Sequence, residues 1–159
     1  MSGGLSQELN HGKKVADVSE KAWVQHLIFS SLVRVTDETK GRLRHIEYFD
    51  MKADIERCIR SKGILSAFVL QGYFIGNLTA SQMLKKGDDG VLSLACPVSD
   101  KAKFPLIYIE SDIAIRNGSE VLGKQILAAA GYHTPTHLLS ELEELTNNNT
   151  RFVQLETET

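Results

Sequence analysis

Residues 24–31 read VQHLIFSS, and this stretch decides the fold class. The run 24–29 is short, is rich in β-branched and aromatic residues, and is closed by Ser30 and Ser31. Such a run is typical of a strand that is buried in a parallel sheet. Because both faces of a parallel sheet are covered by helices, the segments on either side of this strand should include helices.

The flanking sequence supports that expectation. Residues 13–22 carry Val15, Val18 and Ala22 at spacings of three and four, which is the apolar stripe of an amphipathic helix. After the strand, residues 33–44 are polar and contain Gly41, which predicts a surface loop.

A second helix is predicted from Asp50, with Gly63 as its C-terminal stop. Glu56 and Arg60 lie four residues apart, which predicts an ion pair on the solvent side of this helix. The apolar face is formed by Met51, Ile55, Cys58 and Ile59.

The alternation of helices and strands continues to the end of the chain. Strands are predicted at 67–70, 106–109 and 151–155, whereas residues 121–130 fit a helix or a strand. A last helix opens at Thr134 and Pro135, as N-cap and first helical residue, and ends at the asparagines 147–149. Its apolar stripe is Leu138, Leu139, Leu142 and Leu145. This alternation predicts an α/β fold with a mainly parallel sheet.

Composition excludes several classes of protein. A chain of 159 residues with 42% hydrophobic content fits one domain with a core of its own. The net charge of −2, with acids and bases interspersed, predicts no direct binding of nucleic acid. The apolar stretches are shorter than the roughly 20 residues of a membrane helix. No secretory signal is visible, so we expect a cytoplasmic location, with the nucleus as the alternative.

The most informative local pattern is Tyr48-x-x-x-Lys52 at the mouth of the second helix. A spacing of four puts both side chains on one helical face. In a reductase, a lysine so placed lowers the pKa of the tyrosine and binds the nicotinamide ribose, while the phenol passes a proton to a substrate carbonyl. On spacing alone a purely structural pair is the alternative, since the pattern is frequent by chance.

Three other features bear on chemistry. Ser30 and Ser31 could hold a substrate oxygen, because open α/β sheets bind ligands at the carboxyl ends of their strands, and a simple cap of the strand is the alternative. His133 and His137 lack the glutamate of a zinc-protease motif, so we predict capping and surface roles and no metal site. Cys58 and Cys96 lack metal-ligand spacing and are expected to be free thiols.

Several separate segments, taken in order, resemble the NmrA-like family of atypical short-chain dehydrogenases/reductases. The similarity spans residues 9–155, and the combination is far more specific than any one piece. The segments are 12–17 with 24–32 (the family's fourth helix and fifth strand), 48–56 (its Phe-Asp-Ser-Lys-Ala-Glu-Val-Glu helix), 72–78 (the loop after its sixth strand), and then 105–107, Asp112, 122–124 and 132–135.

The resemblance implies a cofactor, NAD or NADP, and assigns residues to it. Lys52 matches the lysine that contacts the NAD(P) ribose, and Tyr48 stands where reductases of this type have the tyrosine proton donor. The serine or threonine partner of that tyrosine falls on Ser31, with Leu32 as the alternative position.

The resemblance also assigns the loop that lines the nicotinamide end of the cofactor. Tyr73, Phe74 and Asn77 match this loop. The choice between NAD and NADP and the identity of the small-molecule substrate stay open.

The sequence departs from the family pattern at several points. No Gly-rich GxGxxG turn, which would bind the pyrophosphate, and no counterpart of the family's first four strands is found. We therefore expect one truncated domain over 1–159, made of the later strands and helices of a partial Rossmann-like fold and a small substrate-side α/β region. Trp23 replaces a helix-ending glycine, so a strained positive φ is expected there. After Asp112 a family helix should be shortened.

Three functional interpretations follow. The first is an NAD(P)H-dependent oxidoreductase, impaired by loss of the phosphate-binding half. The second is a non-catalytic redox-sensing, regulatory or interaction protein, whose exposed sheet edge pairs with a second copy or with a protein partner. The third is a fragment of a longer reductase.

Overall fold

The computed structural model describes residues 2–107 and 118–156, which fall into two compact units. Within the described residues, the first unit comprises 2–71 and 118–128, and the second comprises 72–107 and 129–156. Asp112, Tyr108 and Ile109 lie outside the described residues. The organisation as one domain stays a prediction.

The helices and strands alternate along the chain, as expected. The helices are α1 (Ser2–Lys21), α2 (Val35–Glu38), α3 (Glu47–Ser61), α4 (Gly76–Ala80) and α5 (Pro135–Thr146), with a 3-10 helix at Gly118–Val121. The strands are β1 (Leu27–Ser31), β2 (Ser66–Gln71), β3 (Tyr73–Phe74), β4 (Leu84–Lys86), β5 (Leu92–Cys96), β6 (Phe104–Ile107), β7 (Gln125–Ala128), β8 (Gly131–His133) and β9 (Thr150–Gln154).

The first unit is built on a parallel sheet with strand order β1-β2-β7. In the β1–β2 pair, Phe29 is in register with Phe68. In the β2–β7 pair, Val69 is in register with Ile126. The predicted α/β fold with a parallel sheet is therefore confirmed. The ambiguous segment 121–130 contains β7, because it pairs with β2 rather than forming a helix.

The sheet begins later than the sequence predicted, because the residues before β1 are used to end α1. The backbone N–H of Trp23 donates to the Glu20 carbonyl (3.1 Å), and that of Val24 donates to the Ser19 carbonyl (3.0 Å). Trp23 has φ 53°, so the expected left-handed conformation is present at a non-glycine residue. The chain therefore turns at Trp23 and becomes extended only at Leu27.

Helix α1 is present, but the sequence-based prediction chose the wrong face. Val15 and Val18 are 53% and 64% exposed, whereas Ala16 is fully buried and Ser19 nearly so. The buried face is lined by small residues because α1 packs closely against α3. At Gly12, a Cβ atom would lie 2.5 Å from Cδ1 of Ile55. Apolar periodicity finds large side chains, and here small ones make the contact.

Helix α3 supplies the core of the first unit. Met51, Ile55 and Ile59 are buried, as predicted, and pack with Phe68 of β2 and Ala16 of α1. The helix begins at Glu47 rather than at Asp50 and ends before Gly63, whose φ of 67° confirms the predicted glycine stop.

The ion pair between Glu56 and Arg60 is confirmed at 2.8 Å, but its predicted place on the solvent side was wrong. Glu56 is only 4% exposed. Its carboxylate accepts a hydrogen bond from the Ser31 hydroxyl of β1 and two from the Gln125 amide of β7 (3.1 Å each). A buried carboxylate is stable only when it is so bonded, and these bonds tie α3 to both outer strands of the sheet.

The second unit contains two mixed sheets, with strand orders β3-β6-β8 and β4-β5-β9. The predicted terminal strand is confirmed as β9, which pairs with β5 in parallel. The predicted strand 106–109 is present as β6 up to its last described residue, Ile107. The core of this unit is formed by Leu78, Leu94, Leu106, Leu138 and Leu139.

Helix α5 begins as the sequence predicted. The Thr134 hydroxyl accepts a hydrogen bond from the His137 backbone N–H (3.2 Å), and Pro135 is the first helical residue. Asn147 ends the helix in the left-handed conformation, with φ 52°. The stripe prediction fails at Leu145, which is 83% exposed because it lies in the last turn, beyond the core. No helix in the described part of the chain is long and apolar enough to span a membrane.

The close approach of α1 and α3 generates a prediction with a matched control in the same helix. Gly12→Ala should destabilise the protein by about 1–3 kcal/mol, since the new methyl group meets the buried side chain of Ile55. Gly4→Ala has no atom within 4 Å of the new Cβ and should be neutral or stabilising by up to about 1 kcal/mol through helix propensity. Chemical denaturation of both variants measures the difference. Equal stabilities would contradict the packing described.

The Glu56 network generates a second prediction. Glu56→Gln should lower the free energy of unfolding by about 1.5–3 kcal/mol, because an amide N–H₂ then faces donors on Ser31 and Gln125. The control is Glu144→Gln, the same chemical change at an exposed position of α5. Thermal unfolding of the two variants checks the prediction, and a loss no larger than that of the control would contradict it.

Candidate functional site

Tyr48 and Lys52 lie one turn apart on α3, as their spacing predicted. Because α3 begins at Glu47, Tyr48 is the second residue of the helix. The Lys52 ammonium lies 5.6 Å from the centroid of the Tyr48 ring and 5.6 Å from that of Phe29, the middle residue of β1. A cation at this distance from two aromatic rings is held by their electron-rich faces.

The two side chains differ in their exposure. Tyr48 is 47% exposed, so about half of this residue is open to solvent. The Lys52 side chain is 18% exposed, and its ammonium forms an ion pair with Glu8 of α1 at 2.8 Å. An ammonium has three N–H donors, and Glu8 is the one acceptor that the described residues place on it. Lys52 therefore keeps donor capacity for a further hydroxyl or phosphate oxygen.

The loop next to this pair is fixed onto α3. Asp50, two residues after Tyr48, accepts hydrogen bonds from both the hydroxyl and the backbone N–H of Thr36 in α2. These bonds, with the nearby Arg34, hold the pKa of the Asp50 carboxyl below its usual value. Arg34 also binds Asp54. The predicted surface loop 33–44 thus contains a helical turn that is attached to α3 by polar bonds, and these bonds have no signal in the sequence because they join separate elements.

Ser31 lies away from solvent. It is fully buried, and its hydroxyl donates to the Glu56 carboxylate. Ser30, the neighbouring residue, is exposed on the other face of β1, and Leu32 is half-buried. The proton of Ser31 is therefore committed to Glu56 in this arrangement. No pattern in the sequence pointed to Glu56 as the partner of Ser31, since the two residues lie 25 positions apart.

The predicted nicotinamide-end residues all lie in the second unit. Tyr73 and Phe74 form β3, and Asn77 lies in the short helix α4. The Tyr73 hydroxyl donates to the Met83 sulfur (3.2 Å), and its ring packs against Phe104 with centroids 6.1 Å apart. Phe74 is half-buried and Asn77 is exposed. Tyr73 thus packs against the second core, while Asn77 presents its amide to solvent.

The two cysteines are free, as predicted. Cys58 is half-buried and packs at the edge of the first core. Cys96 is buried in β5, and this burial raises the pKa of its thiol. A buried thiol with a raised pKa is a poor nucleophile, so Cys96 is a structural residue.

The chain matches the NmrA-like family over residues 1–159. It is 36% identical over 82 residues to the NmrA-like family domain-containing oxidoreductase lnaB of Aspergillus flavus. The aligned region covers 50% of this chain and 24% of that protein.

Solved structures share the fold. NmrA, a negative transcriptional regulator, in complex with NAD superposes with a TM-score of 0.83 at 22% identity, covering 93% of this chain and 49% of NmrA. Its complex with NADP gives the same values. The triphenylmethane reductase of Citrobacter sp., complexed with NADP(H), gives a TM-score of 0.70 at 12% identity, covering 96% of this chain and 52% of that one.

The family match extends through both units and includes the helix that carries Tyr48 and Lys52. The chain spans about half the length of the solved structures and about a quarter of the curated relative. The chain belongs to the NmrA-like family.

Proposed function

We propose that this chain binds NAD(P) with Lys52 at the nicotinamide ribose and Tyr48 as the proton donor of an oxidoreductase of the atypical short-chain type. The observation that carries the proposal is the Lys52 ammonium held 5.6 Å from the ring of a half-exposed Tyr48. Membership of the NmrA-like family and the NAD and NADP complexes of NmrA support it.

The residues present fit a ribose. A ribose offers hydroxyl oxygens, and Lys52 has N–H groups beyond the one directed at Glu8. Tyr48 offers a hydroxyl on a residue that is 47% exposed. A bound NAD(P)H would supply a hydride to the carbonyl carbon of a substrate. In the proposed roles, Tyr48 donates its proton to the carbonyl oxygen, and the Lys52 charge stabilises the negative charge left on the phenol.

Glu8 sets the strength of this interaction. Its carboxylate neutralises Lys52 at 2.8 Å, so a ribose must share the ammonium with it. The sequence has no Gly-rich turn for the pyrophosphate, and this contact normally supplies much of the affinity. We therefore propose weak binding by this chain, roughly millimolar, which corresponds to about 4 kcal/mol.

Titrations of NADPH and NADH, followed by saturation-transfer NMR, test the proposal. Lys52→Met should weaken binding about tenfold, the value of one charged hydrogen bond. Glu8→Gln removes the same ion pair but leaves the ammonium, so it should bind as well as the native chain or better. Lys14→Met, at an exposed lysine of α1, is the control for net charge.

The comparison of the two partners separates a binding role from a structural one. If Lys52 serves only the ion pair with Glu8, both variants lose stability to the same degree and neither changes the affinity for NADPH. That result would contradict the proposal.

The edge of the first sheet favours a second candidate function, that of a non-catalytic interaction protein that forms a homodimer. Among the described strands, β1 pairs with β2 alone, so its other edge is unpaired. The Leu27 N–H points towards β2, where it bonds the Leu65 carbonyl (2.9 Å). By strand alternation, the backbone groups of Ile28 and Ser30 point to the unpaired edge, which is suited to pairing with β1 of a second copy.

Sedimentation velocity at several concentrations tests this candidate. Ile28, on β1, and Leu127, on the opposite edge strand β7, are 42% and 44% exposed, so they form a matched pair. We expect Ile28→Lys to weaken the dimer about tenfold or more through like-charge repulsion at the interface, and Leu127→Lys to leave it intact. A monomeric native chain, or a dimer that only Leu127→Lys disrupts, would contradict pairing through β1.

A further inference from the structure

His133, His137 and Glu141 form a cluster in the second unit, here called the histidine cluster. His133 is the last residue of β8, His137 lies in the first turn of α5, and Glu141 follows one turn later. The Nδ1 atoms of the two histidines are 3.1 Å apart, and their rings stack with centroids 5.1 Å apart. His137 Nε2 lies 3.7 Å from the Glu141 carboxylate.

Three local features hold the histidine cluster in place. His133 is in register with Phe104 of β6, which fixes its backbone in a sheet. The His137 N–H is bonded by the Thr134 hydroxyl, which fixes the start of α5. The His133 ring lies over Gly131, where a Cβ atom would be 3.1 Å from Nε2, so a side chain there would crowd the ring. The donor atoms are therefore carried by regular elements rather than by a mobile loop.

The distance between the two nitrogens is close to that found around a metal ion. Two facing Nδ1 lone pairs repel each other, so the two neutral imidazoles either share one proton in an N–H···N hydrogen bond or hold a cation in its place. Two nitrogens bound tetrahedrally to one zinc ion, each at about 2.0–2.1 Å, lie about 3.3–3.4 Å apart. The observed 3.1 Å needs an adjustment of only a few tenths of an ångström.

Glu141 supplies a third donor. One ligand atom from each of the three residues lies within 4.8 Å of the others. Glu141 now faces Nε2 of His137, and its side chain is 47% exposed, so a rotation of that side chain is needed to bring the carboxylate to an ion held by the two Nδ1 atoms. Two imidazoles and one carboxylate are a ligand set for Zn²⁺ and similar first-row ions rather than for Mg²⁺ or Ca²⁺, which prefer oxygen ligands alone.

We propose that His133, His137 and Glu141 bind one divalent transition-metal ion of the Zn²⁺ class. The site keeps an open coordination position for water or a ligand, because the protein provides three donors. This differs from the sequence-based interpretation, which gave the two histidines capping and surface roles. The missed signal is the geometry: His133 precedes the helix, so its distance from His137 depends on the turn at Thr134 and Pro135 rather than on helical spacing.

The test uses the full chain with Zn²⁺ in calorimetry and with Co²⁺, whose visible absorption reports its ligands. We expect one ion per chain. His133→Ala and His137→Ala should each weaken binding at least about tenfold, and Glu141→Gln should weaken it less. His45→Ala, at an exposed histidine of the first unit, is the control and should bind like the native chain.

Circular dichroism confirms that the variants remain folded, which is expected because His137 and Glu141 are 57% and 47% exposed and the Thr134 bond uses the backbone of residue 137. Binding of one ion that survives in the His133→Ala/His137→Ala double variant would overturn the proposal. So would the absence of any Co²⁺ absorption change with the native chain.

Discussion

A single buried carboxylate joins the segments of the first unit. Glu56 lies on the helix that covers the sheet, and it receives hydrogen bonds from β1 through Ser31 and from β7 through Gln125. Arg60 adds an ionic partner and also donates to the Gly123 carbonyl just before β7 (2.7 Å). A buried charge is tolerated only while all these donors stay in place. The positions of the outer strands and of α3 are therefore mutually dependent, and the Tyr48–Lys52 pair is carried by the same helix.

The sequence predicted this unit where large side chains decide the packing and not where small or polar ones do. The stripe of Met51, Ile55 and Ile59 was predicted because apolar residues at helical spacing report a buried face. The buried face of α1 was not predicted, because Gly12 and Ala16 are too small to give a hydrophobic pattern. Their small size is what permits the close approach of α1 to α3. The burial of Glu56 has no sequence signal either, since it depends on donors about 25 and 69 residues away.

In the candidate site, too, some contacts could be predicted from the sequence and others could not. The Tyr48–Lys52 pair could be predicted because both residues lie on one helix, where spacing fixes geometry. The ion pair of Lys52 with Glu8 and the contact with Phe29 could not, because they join different elements. The family resemblance supplied roles that spacing alone could not assign. The structure adds two facts to those roles: Glu8 competes with a ligand for the Lys52 ammonium, and the Ser31 hydroxyl donates its proton to Glu56.

The parallel sheet of the first unit has a consequence for how the chain folds. Residues 72–124 separate β2 from its neighbour β7, and most of the described residues in this interval belong to the second unit. Closing so long a loop is entropically unfavourable, and pairing between distant strands slows folding. We therefore expect β1, β2 and α3 to assemble before β7 joins them. Each unit is also made of two separate chain segments, so no single proteolytic cut yields either unit intact.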